Sequence, residues 1–221
     1  LPDLLRSCEA GRAVWVLPAW ETHKRLGLEE GRRVADRAIR GDKATLRQLE
    51  SESALHFFAK TAYARGHSAT NFTRWLQADL PYDVAYEINY EPWFIMSRRL
   101  IPPYDVRFRG YGWNKVQQVA SVALQYNFTF RVHPHVWLVH RPHEASAGQK
   151  MYGGSGGGGG AEKEQPHGQG QLDEIREWRG SRAPVSRLFH RRVSALRHTA
   201  IRDMRRGSYR AAEDPQSEHC R

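Results

Sequence analysis

Residues 86–143 read YEINYEPWFIMSRRLIPPYDVRFRGYGWNKVQQVASVALQYNFTFRVHPHVWLVHRPH. Short apolar and aromatic runs alternate here with one run of helical period, which predicts a strand, a loop, a helix and two further strands. We expect a buried strand at Trp93–Met96 and a helix that opens at Trp113. Two β-rich runs follow, Asn127–Val132 and Val136–Val139. This order of elements predicts an α/β fold.

Polar side chains gather at the ends of these elements, where α/β folds hold their chemistry. Glu91 precedes the first strand, and Asn114 and Lys115 open the helix. Four histidines surround the last strand: His133, His135, His140 and His143. Imidazole is a ligand for Mn²⁺ and Zn²⁺, so these histidines are metal candidates. The alternative is that they are surface residues or hydrogen-bonded core residues.

The chain of 221 residues is long enough for one sizeable core, with or without tails. We predict a first domain over residues 1–148. Its first elements are predicted as a helix end at 1–11, a strand at Arg12–Leu17 and a loop at Pro18–Thr22. A charged surface at 23–40 and a mostly helical region at Gly41–Ala64, capped by Asp42, follow. A loop at 65–82, anchored by Phe72 and Trp75, completes the part before residue 86.

The sequence changes character after the last predicted strand. A glycine run predicts a Gly-rich disordered insertion over residues 149–180, because glycines have no side chains to bury. From Val185 to Met204 apolar residues recur on one helical face. They predict an amphipathic helix within residues 181–209 that packs back on the domain. Residues 210–221 form a predicted polar tail.

The net charge of +10 suits phosphate-rich partners, namely nucleic acid, an anionic membrane or a nucleotide sugar. A solubilising arginine-rich surface is the alternative. The arginine-rich region 176–210 keeps open the hypothesis of a basic nucleic-acid-binding protein. No nucleic acid is expected as a partner, however, because the basic residues are spread along the chain and no nucleic-acid motif is present. Cys8 and Cys220 have no metal-ligand or redox spacing.

Five motifs follow one another in the chain: Val16–Thr22, Gly66–Trp75, Glu91-Pro92-Trp93, Gly110–Val116 and Val139–His143. Together they resemble glycosyltransferase family 49. That family contains the LARGE-type enzymes and the β-1,4-glucuronyltransferase that work on the O-mannosyl matriglycan of dystroglycan. The resemblance covers residues 12–143, the C-terminal part of the family's domain, and a weaker match returns near residues 185–209.

The resemblance implies a GT-A fold and transfer of a sugar, glucuronic acid or xylose, from a UDP-sugar to a glycan acceptor on a glycoprotein. It implies Mn²⁺, held by an Asp-x-Asp motif and a later histidine. His140 matches the family's Val-His pair, and His143, matched in the LARGE-type members only, is the second metal candidate. It also implies the Golgi lumen, within a type II membrane protein whose anchor is not in this chain.

The chain departs from the family in one respect, since no Asp-x-Asp occurs in its 221 residues. In the family that motif precedes the strand matched by Arg12–Leu17, so it is expected before Leu1. The fold class expected is therefore α/β, a partial GT-A-type glycosyltransferase domain lacking its N-terminal nucleotide-binding half. The chain alone is expected to be inactive, and a catalytically dead carbohydrate-binding remnant is a further alternative.

An inverting transferase needs a carboxylate to take the proton of the acceptor hydroxyl. Glu91 is the predicted catalytic base, ahead of Glu87; the alternative is a carboxylate that hydrogen-bonds the Thr70-Asn71 loop. The predicted acceptor- or donor-binding residues are Thr70, Asn71, Trp113, Asn114 and Lys115. The alternative for Asn114 and Lys115 is a helix cap with one solvated lysine. Trp93 could stack on a pyranose ring like Trp113, but core packing is the preferred interpretation for Trp93.

Overall fold

A computed structural model describes residues 2–108, 113–144 and 185–213. The helices are α1 Pro2–Gly11, α2 Gly27–Arg40, α3 Lys43–Ser51, α4 Phe72–Gln77, α5 Asn114–Ala120 and α6 Val185–Arg205. The strands are β1 Ala13–Leu17, β2 Ala19–Thr22, β3 Leu55–Phe57, β4 Tyr82–Val84, β5 Trp93–Ile95, β6 Thr129–Val132 and β7 Leu138–His140. The insertion predicted at 149–180 lies outside the described residues.

The strands form two mixed sheets, which confirms the α/β expectation. One sheet has the order β4-β6-β1-β5 and the other β3-β2-β7. β1 runs parallel to β6, and β2 runs parallel to β7. Pro18 separates β1 from β2, since proline has no N–H for the ladder. Two parallel segments, β1–β2 and β6–β7, therefore run side by side through both sheets, and His140 lies at the end of the second.

Two strands lie where the sequence predicted other structure. The predicted loop at Pro18–Thr22 contains β2, and the predicted helical region at Gly41–Ala64 contains β3 after the helix α3. The two strands pair antiparallel, with Trp20 opposite Phe57. Both predictions were wrong because neither segment is a continuous apolar run, and pairing with other strands makes each of them a strand.

The helices cover the sheets with apolar faces. Asp42 caps α3 as predicted, because its Oδ1 accepts a hydrogen bond of 2.8 Å from the Thr45 amide. The segment 23–40, predicted as charged surface, contains α2, which buries Val34, Ala35 and Ala38. Its charged residues occupy the remaining faces, so the composition concealed an amphipathic helix.

A single main core lies between the sheets and helices. Its largest fully buried side chains include Trp20, Trp75, Tyr90 and Phe130. The Trp75 indole donates a hydrogen bond of 2.8 Å to the His133 carbonyl oxygen. The predicted loop at 65–82 contains the short helix α4, and its Phe72 and Trp75 are buried anchors as predicted.

Helix α6 packs on a second, smaller core. Val193, Ala200 and Met204 of α6 lie there with Phe108 and Ala120. None of the helices in the described ranges is both long and apolar enough to cross a membrane.

The residues after α6 dock on the loop at 105–107. The Tyr209 hydroxyl donates a hydrogen bond to the Asp105 carboxylate and accepts one of 2.7 Å from the side-chain Nε2 of Gln117. The Arg107 guanidinium donates to both Asp105 carboxylate oxygens and, at 2.8 Å, to the Arg210 carbonyl oxygen. We call Asp105, Arg107, Gln117 and Tyr209 the tail clamp. It joins α5, which carries Lys115, to the end of the described chain.

The Asp105→Asn variant is expected to lower the free energy of unfolding by about 1.5–3 kcal/mol at neutral pH, because it weakens hydrogen bonds to a buried charge. Burial raises the pKa of Asp105, but the hydrogen bonds from Arg107 and Tyr209 outweigh burial and lower this pKa overall. A carboxylate whose pKa is lower in the folded state stabilises the fold at pH values above its unfolded-state pKa. That contribution is lost as the pH falls through the folded pKa.

Urea unfolding at a series of pH values, from neutral down to about 3, measures this contribution. The stability that Asp105 adds should decrease as the pH falls below the unfolded-state pKa of about 3.9. The matched control is Asp83→Asn, whose partner Arg131 lies at 2.7 Å in an ion pair with both side chains more than 40% exposed. An exposed pair contributes about 0–1 kcal/mol. Equal losses for the two variants at neutral pH would contradict the role of the tail clamp.

Candidate active site

Glu91 lies two residues before the start of β5, with its side chain 23% exposed. Its amide donates a hydrogen bond of 2.8 Å to the Gly66 carbonyl oxygen. A Cβ added to Gly66 would meet the Tyr63 ring and would lie 3.2 Å from Glu91 Cγ, so glycine permits this close approach. The carboxylate is therefore held beside the 63–67 segment. The alternative in which it hydrogen-bonds the Thr70-Asn71 loop is not what the structure has.

The Trp93 ring is the centre of the site. His67 stacks on it with ring centroids 5.5 Å apart, and Phe58 meets it edge-on at 4.7 Å. The Lys115 Nζ lies 3.8 Å from its ring centroid, in a cation–π contact. We call His67, Glu91, Trp93 and Lys115, with Phe58, the Trp93 cluster. β5 was predicted to be buried, but its three residues are only half-buried, because it is the edge strand of its sheet.

The two charged members of the Trp93 cluster are biased towards their neutral forms. Burial raises the pKa of Glu91, and the nearby Lys115 opposes this shift only in part. Burial likewise lowers the pKa of Lys115 against the opposing effect of Glu91. Lys115 is therefore not the solvated lysine of the alternative interpretation. A carboxylate with a raised pKa has the proton affinity that a general base needs.

His67 is a member of the Trp93 cluster that sequence reasoning did not identify. It is 2% exposed, and burial, aided by the Lys115 charge, lowers its pKa to about 3. Its Nε2 lies 3.8 Å from Glu91 Oε1. Because the imidazole is neutral at physiological pH, this contact is not an ion pair. The only sequence signal was its place in the Gly66–Trp75 motif, since its partners come from residues far along the chain.

His140 and His143 point their imidazoles at each other. His140 is the last residue of β7, one residue beyond the predicted strand, and its Nε2 lies 3.2 Å from Nε2 of His143. Two nitrogen ligands about 2.1 Å from one ion, at angles of about 90–109°, are about 3.0–3.4 Å apart. The pair therefore has the spacing of two ligands of one metal ion. Phe58 contacts His140 at 5.0 Å and so links this pair to the Trp93 cluster.

The turn between the two histidines is fixed from α2. The Arg141 guanidinium forms an ion pair of 2.7 Å with Asp36. Pro142 packs on Gly31, where an added Cβ would lie 2.9 Å from the proline Cγ. These contacts return the chain so that His143 faces His140.

Glu21 is a second residue that sequence reasoning did not identify. It lies on β2, opposite His140 of β7 and His56 of β3 in register. Its Oε1 accepts a hydrogen bond of 2.9 Å from the Ala59 amide. Burial and His143 lower the pKa of His140, and Glu21 opposes them. Glu21 belongs to the Val16–Thr22 motif, but it reaches His140 only through strand pairing.

The other two histidines form a separate pair. His133 packs on Trp15, and its Nδ1 accepts a hydrogen bond of 3.1 Å from the His135 amide. Within residues 2–108, 113–144 and 185–213, no three His, Cys, Asp or Glu side chains come together as a metal site. A metal at His140 and His143 would therefore take further ligands from elsewhere.

Thr70 and Asn71, two further predicted binding residues, have hydrogen-bond partners within the fold. Thr70 is buried, with its hydroxyl 2.8 Å from that of Tyr90. Asn71 caps α4 through the Arg74 amide. Their binding role remains a prediction.

Trp113, the residue before α5, is contacted by helix α6. Trp113 has a positive φ of 62°. The Arg197 guanidinium carbon of α6 lies 4.2 Å from the centroid of its ring. Asn114 is exposed, and its Oδ1 accepts a hydrogen bond of 2.8 Å from the Lys115 amide. α6 thus supports the segment that carries Lys115, and substrate binding by Trp113 and Asn114 remains a prediction.

The family described as "Glycosyl-transferase for dystroglycan" matches residues 3–151 of the chain. The chain belongs to this family. The match confirms the resemblance and includes the Trp93 cluster and the His140–His143 pair, whereas α6 lies beyond it.

Known relatives of this glycosyltransferase family agree with that assignment. "Xylosyl- and glucuronyltransferase LARGE2" of Rattus norvegicus is 35% identical over 61% of this chain and 18% of its own length. "Xylosyl- and glucuronyltransferase LARGE1" of Mus musculus is 39% identical over 47% of the chain and 14% of its own length. "Glycosyltransferase-like protein LARGE" of Caenorhabditis elegans is 38% identical over 43% and 15%. The chain thus spans less than a fifth of these relatives.

Proposed function

We propose that the chain is the acceptor-side part of a GT-A-type, inverting glycosyltransferase. The complete enzyme moves glucuronic acid or xylose from a UDP-sugar to a glycan acceptor on a glycoprotein in the Golgi lumen. The observation that carries this proposal is the position of Glu91, a half-buried carboxyl with a raised pKa, in the Trp93 cluster, which Phe58 links to the His140–His143 pair. The names of the relatives, xylosyl- and glucuronyltransferases, supply the two sugars.

Glu91 acts as the general base. Its carboxylate takes the proton of the acceptor hydroxyl, and the hydroxyl oxygen attacks the anomeric carbon of the donor. The new glycosidic bond forms as the bond from the anomeric carbon to the UDP oxygen breaks, and UDP leaves with that electron pair. Glu91 ends the step as a carboxylic acid, which its raised pKa favours.

His140 and His143 are the residues of this chain that would hold Mn²⁺, together with carboxylates from an Asp-x-Asp motif outside the 221 residues. Their Nε2 spacing of 3.2 Å supports this assignment. When bound, the ion supplies positive charge that stabilises the diphosphate leaving group.

Lys115 provides the second positive charge of the site. Its Nζ, held 3.8 Å from the centre of the Trp93 ring, is a partner for the diphosphate or for an acidic acceptor sugar. Trp113 and Asn114 stand beside it on the same segment, and a pyranose ring would stack on Trp113. Thr70 and Asn71 shape the loop that carries His67.

Transfer from UDP-glucuronic acid and UDP-xylose to a glycan acceptor tests the proposal, measured as UDP release and acceptor mass. We expect Mn²⁺-dependent transfer by the complete protein that carries this chain, loss of transfer with EDTA, and none by the 221-residue chain alone. Turnover by the isolated chain would contradict the proposal that the metal takes carboxylate ligands from outside these residues. Glycan binding without any transfer by the complete protein would instead identify a carbohydrate-binding remnant.

A further inference from the structure

We propose that His67 is a positioning residue for Glu91, an inference that rests on the proposed function. The His67 Nε2–H donates a hydrogen bond to one carboxylate oxygen of Glu91 and thereby turns the other oxygen towards the acceptor hydroxyl.

The first support is an unpartnered polar atom. His67 Nε2 is buried and has no hydrogen-bond partner within the described residues. A buried polar atom without a partner is costly, so such atoms are rare in folded proteins. The Glu91 Oε1 lies 3.8 Å away. A movement of about 0.9 Å would bring it to an ordinary hydrogen-bond length of about 2.9 Å.

The second support is that the imidazole is fixed and the carboxylate is not. Three rings enclose His67: Phe58 at 5.1 Å, Trp93 at 5.5 Å and Tyr63 at 6.5 Å. Glu91, by contrast, is anchored through its backbone amide. The carboxylate is therefore the group that moves. Catalytic hydrogen bonds are often long without substrate and shorten when substrate binds.

The other ionisable groups around Glu91 do not replace His67. Lys115 of α5 attracts the carboxylate as a charge, while its ammonium lies over the Trp93 ring. Tyr63 donates its hydroxyl hydrogen to the Asn89 carbonyl oxygen at 3.1 Å, and burial raises its pKa. His67 is neutral because burial lowers its pKa to about 3. A neutral donor orients the carboxylate without the strong loss of basicity that a neighbouring cation would cause.

Two substitutions separate the hydrogen bond from the stacking of the ring. His67→Phe keeps an aromatic ring between Phe58 and Trp93 but removes the donor. His67→Gln removes the ring but keeps an amide N–H near the position of Nε2. In the complete protein, we expect His67→Phe to lower kcat by about 10–100-fold, as loss of an orienting partner does at metal sites, with little change in KM. We expect His67→Gln to keep most of the activity.

The pH dependence provides a readout that simple packing would not change. Without the donor, the charged carboxylate loses a stabilising partner, so the pKa of Glu91 rises. The acid limb of kcat/KM for His67→Phe should move to higher pH, whereas that of His67→Gln should stay in place. In a Glu91→Gln background, His67→Phe should cause no further loss, because the two residues act as a unit.

A measurement on the 221-residue chain is independent of activity. The ¹³C chemical shift of the Glu91 carboxyl carbon, followed against pH, should report a higher pKa in His67→Phe and an unchanged one in His67→Gln. Wild-type activity and titration in His67→Phe would overturn the inference and leave the proposed function intact. Absence of sugar transfer by the wild-type complete protein would contradict the proposed function itself, and the carbon titration would still decide the hydrogen bond.

Discussion

The Glu91→Gln variant of the complete protein is expected to lose about 10²–10⁴-fold in kcat, the range that proton transfer by a positioned base contributes. Glutamine keeps the size and polarity of the side chain, and the backbone bond from residue 91 to the Gly66 carbonyl oxygen remains. KM should therefore change little. Initial rates of UDP release at saturating donor and acceptor measure the effect.

We expect the same residue to set the pH dependence of sugar transfer. Burial raises the pKa of Glu91, so kcat/KM should fall with decreasing pH through a pKa above that of an ordinary glutamate. The matched control is Glu87→Gln, because Glu87 is exposed and was the second candidate for the base. Glu87→Gln should remain near wild type. A similar loss in both variants would show that Glu91 is not the base.

The His140→Ala variant should remove most of the transfer activity and weaken Mn²⁺ binding, while the fold remains intact. Loss of a direct ligand exceeds the roughly 10–100-fold cost of losing a group that only orients a ligand. His140 lies at the end of β7, with its ring partly exposed, so alanine removes few core contacts. Mn²⁺ titration of activity, with circular dichroism to verify folding, provides the measurement.

His135→Ala is the matched control for this prediction. His135 is exposed, and its amide contacts His133, away from the His140–His143 pair. Its loss should leave the Mn²⁺ dependence close to that of the wild type. Equal effects at positions 135 and 140 would mean that the metal ligand had been assigned to the wrong histidine.

Elements with a long or regular pattern could be predicted from the sequence. The cap of α3 at Asp42 and the strand β1 were predicted because one side chain or one apolar run specifies each of them. β2 and β3 were not, because neither is a continuous apolar run and both become strands through pairing, β2 with β3 and with β7. Tertiary context, rather than local preference, decides such segments.

The site divides in the same way. Glu91 and Lys115 were predicted because each stands at the head of a predicted strand or helix. The position of Lys115 over the Trp93 ring, and its electrostatic interaction with Glu91, depend on how β5 and α5 pack. His67 and Glu21 were missed because their partners come from distant parts of the sequence. The burial of His67 and the pairing of Glu21 with His140 exist only in the folded chain.

The tail clamp has an evolutionary consequence. Helix α6 and the residues after it are held by contacts of their own, from Val193 on the second core to Tyr209 on Asp105. Lengthening the connection between residues 144 and 185 therefore costs little, since each doubling of a loop adds only about 0.6 kcal/mol of closure entropy. Insertions and deletions in that part of the gene would leave the contact of α6 with Trp113, and so the segment that carries Lys115, in place.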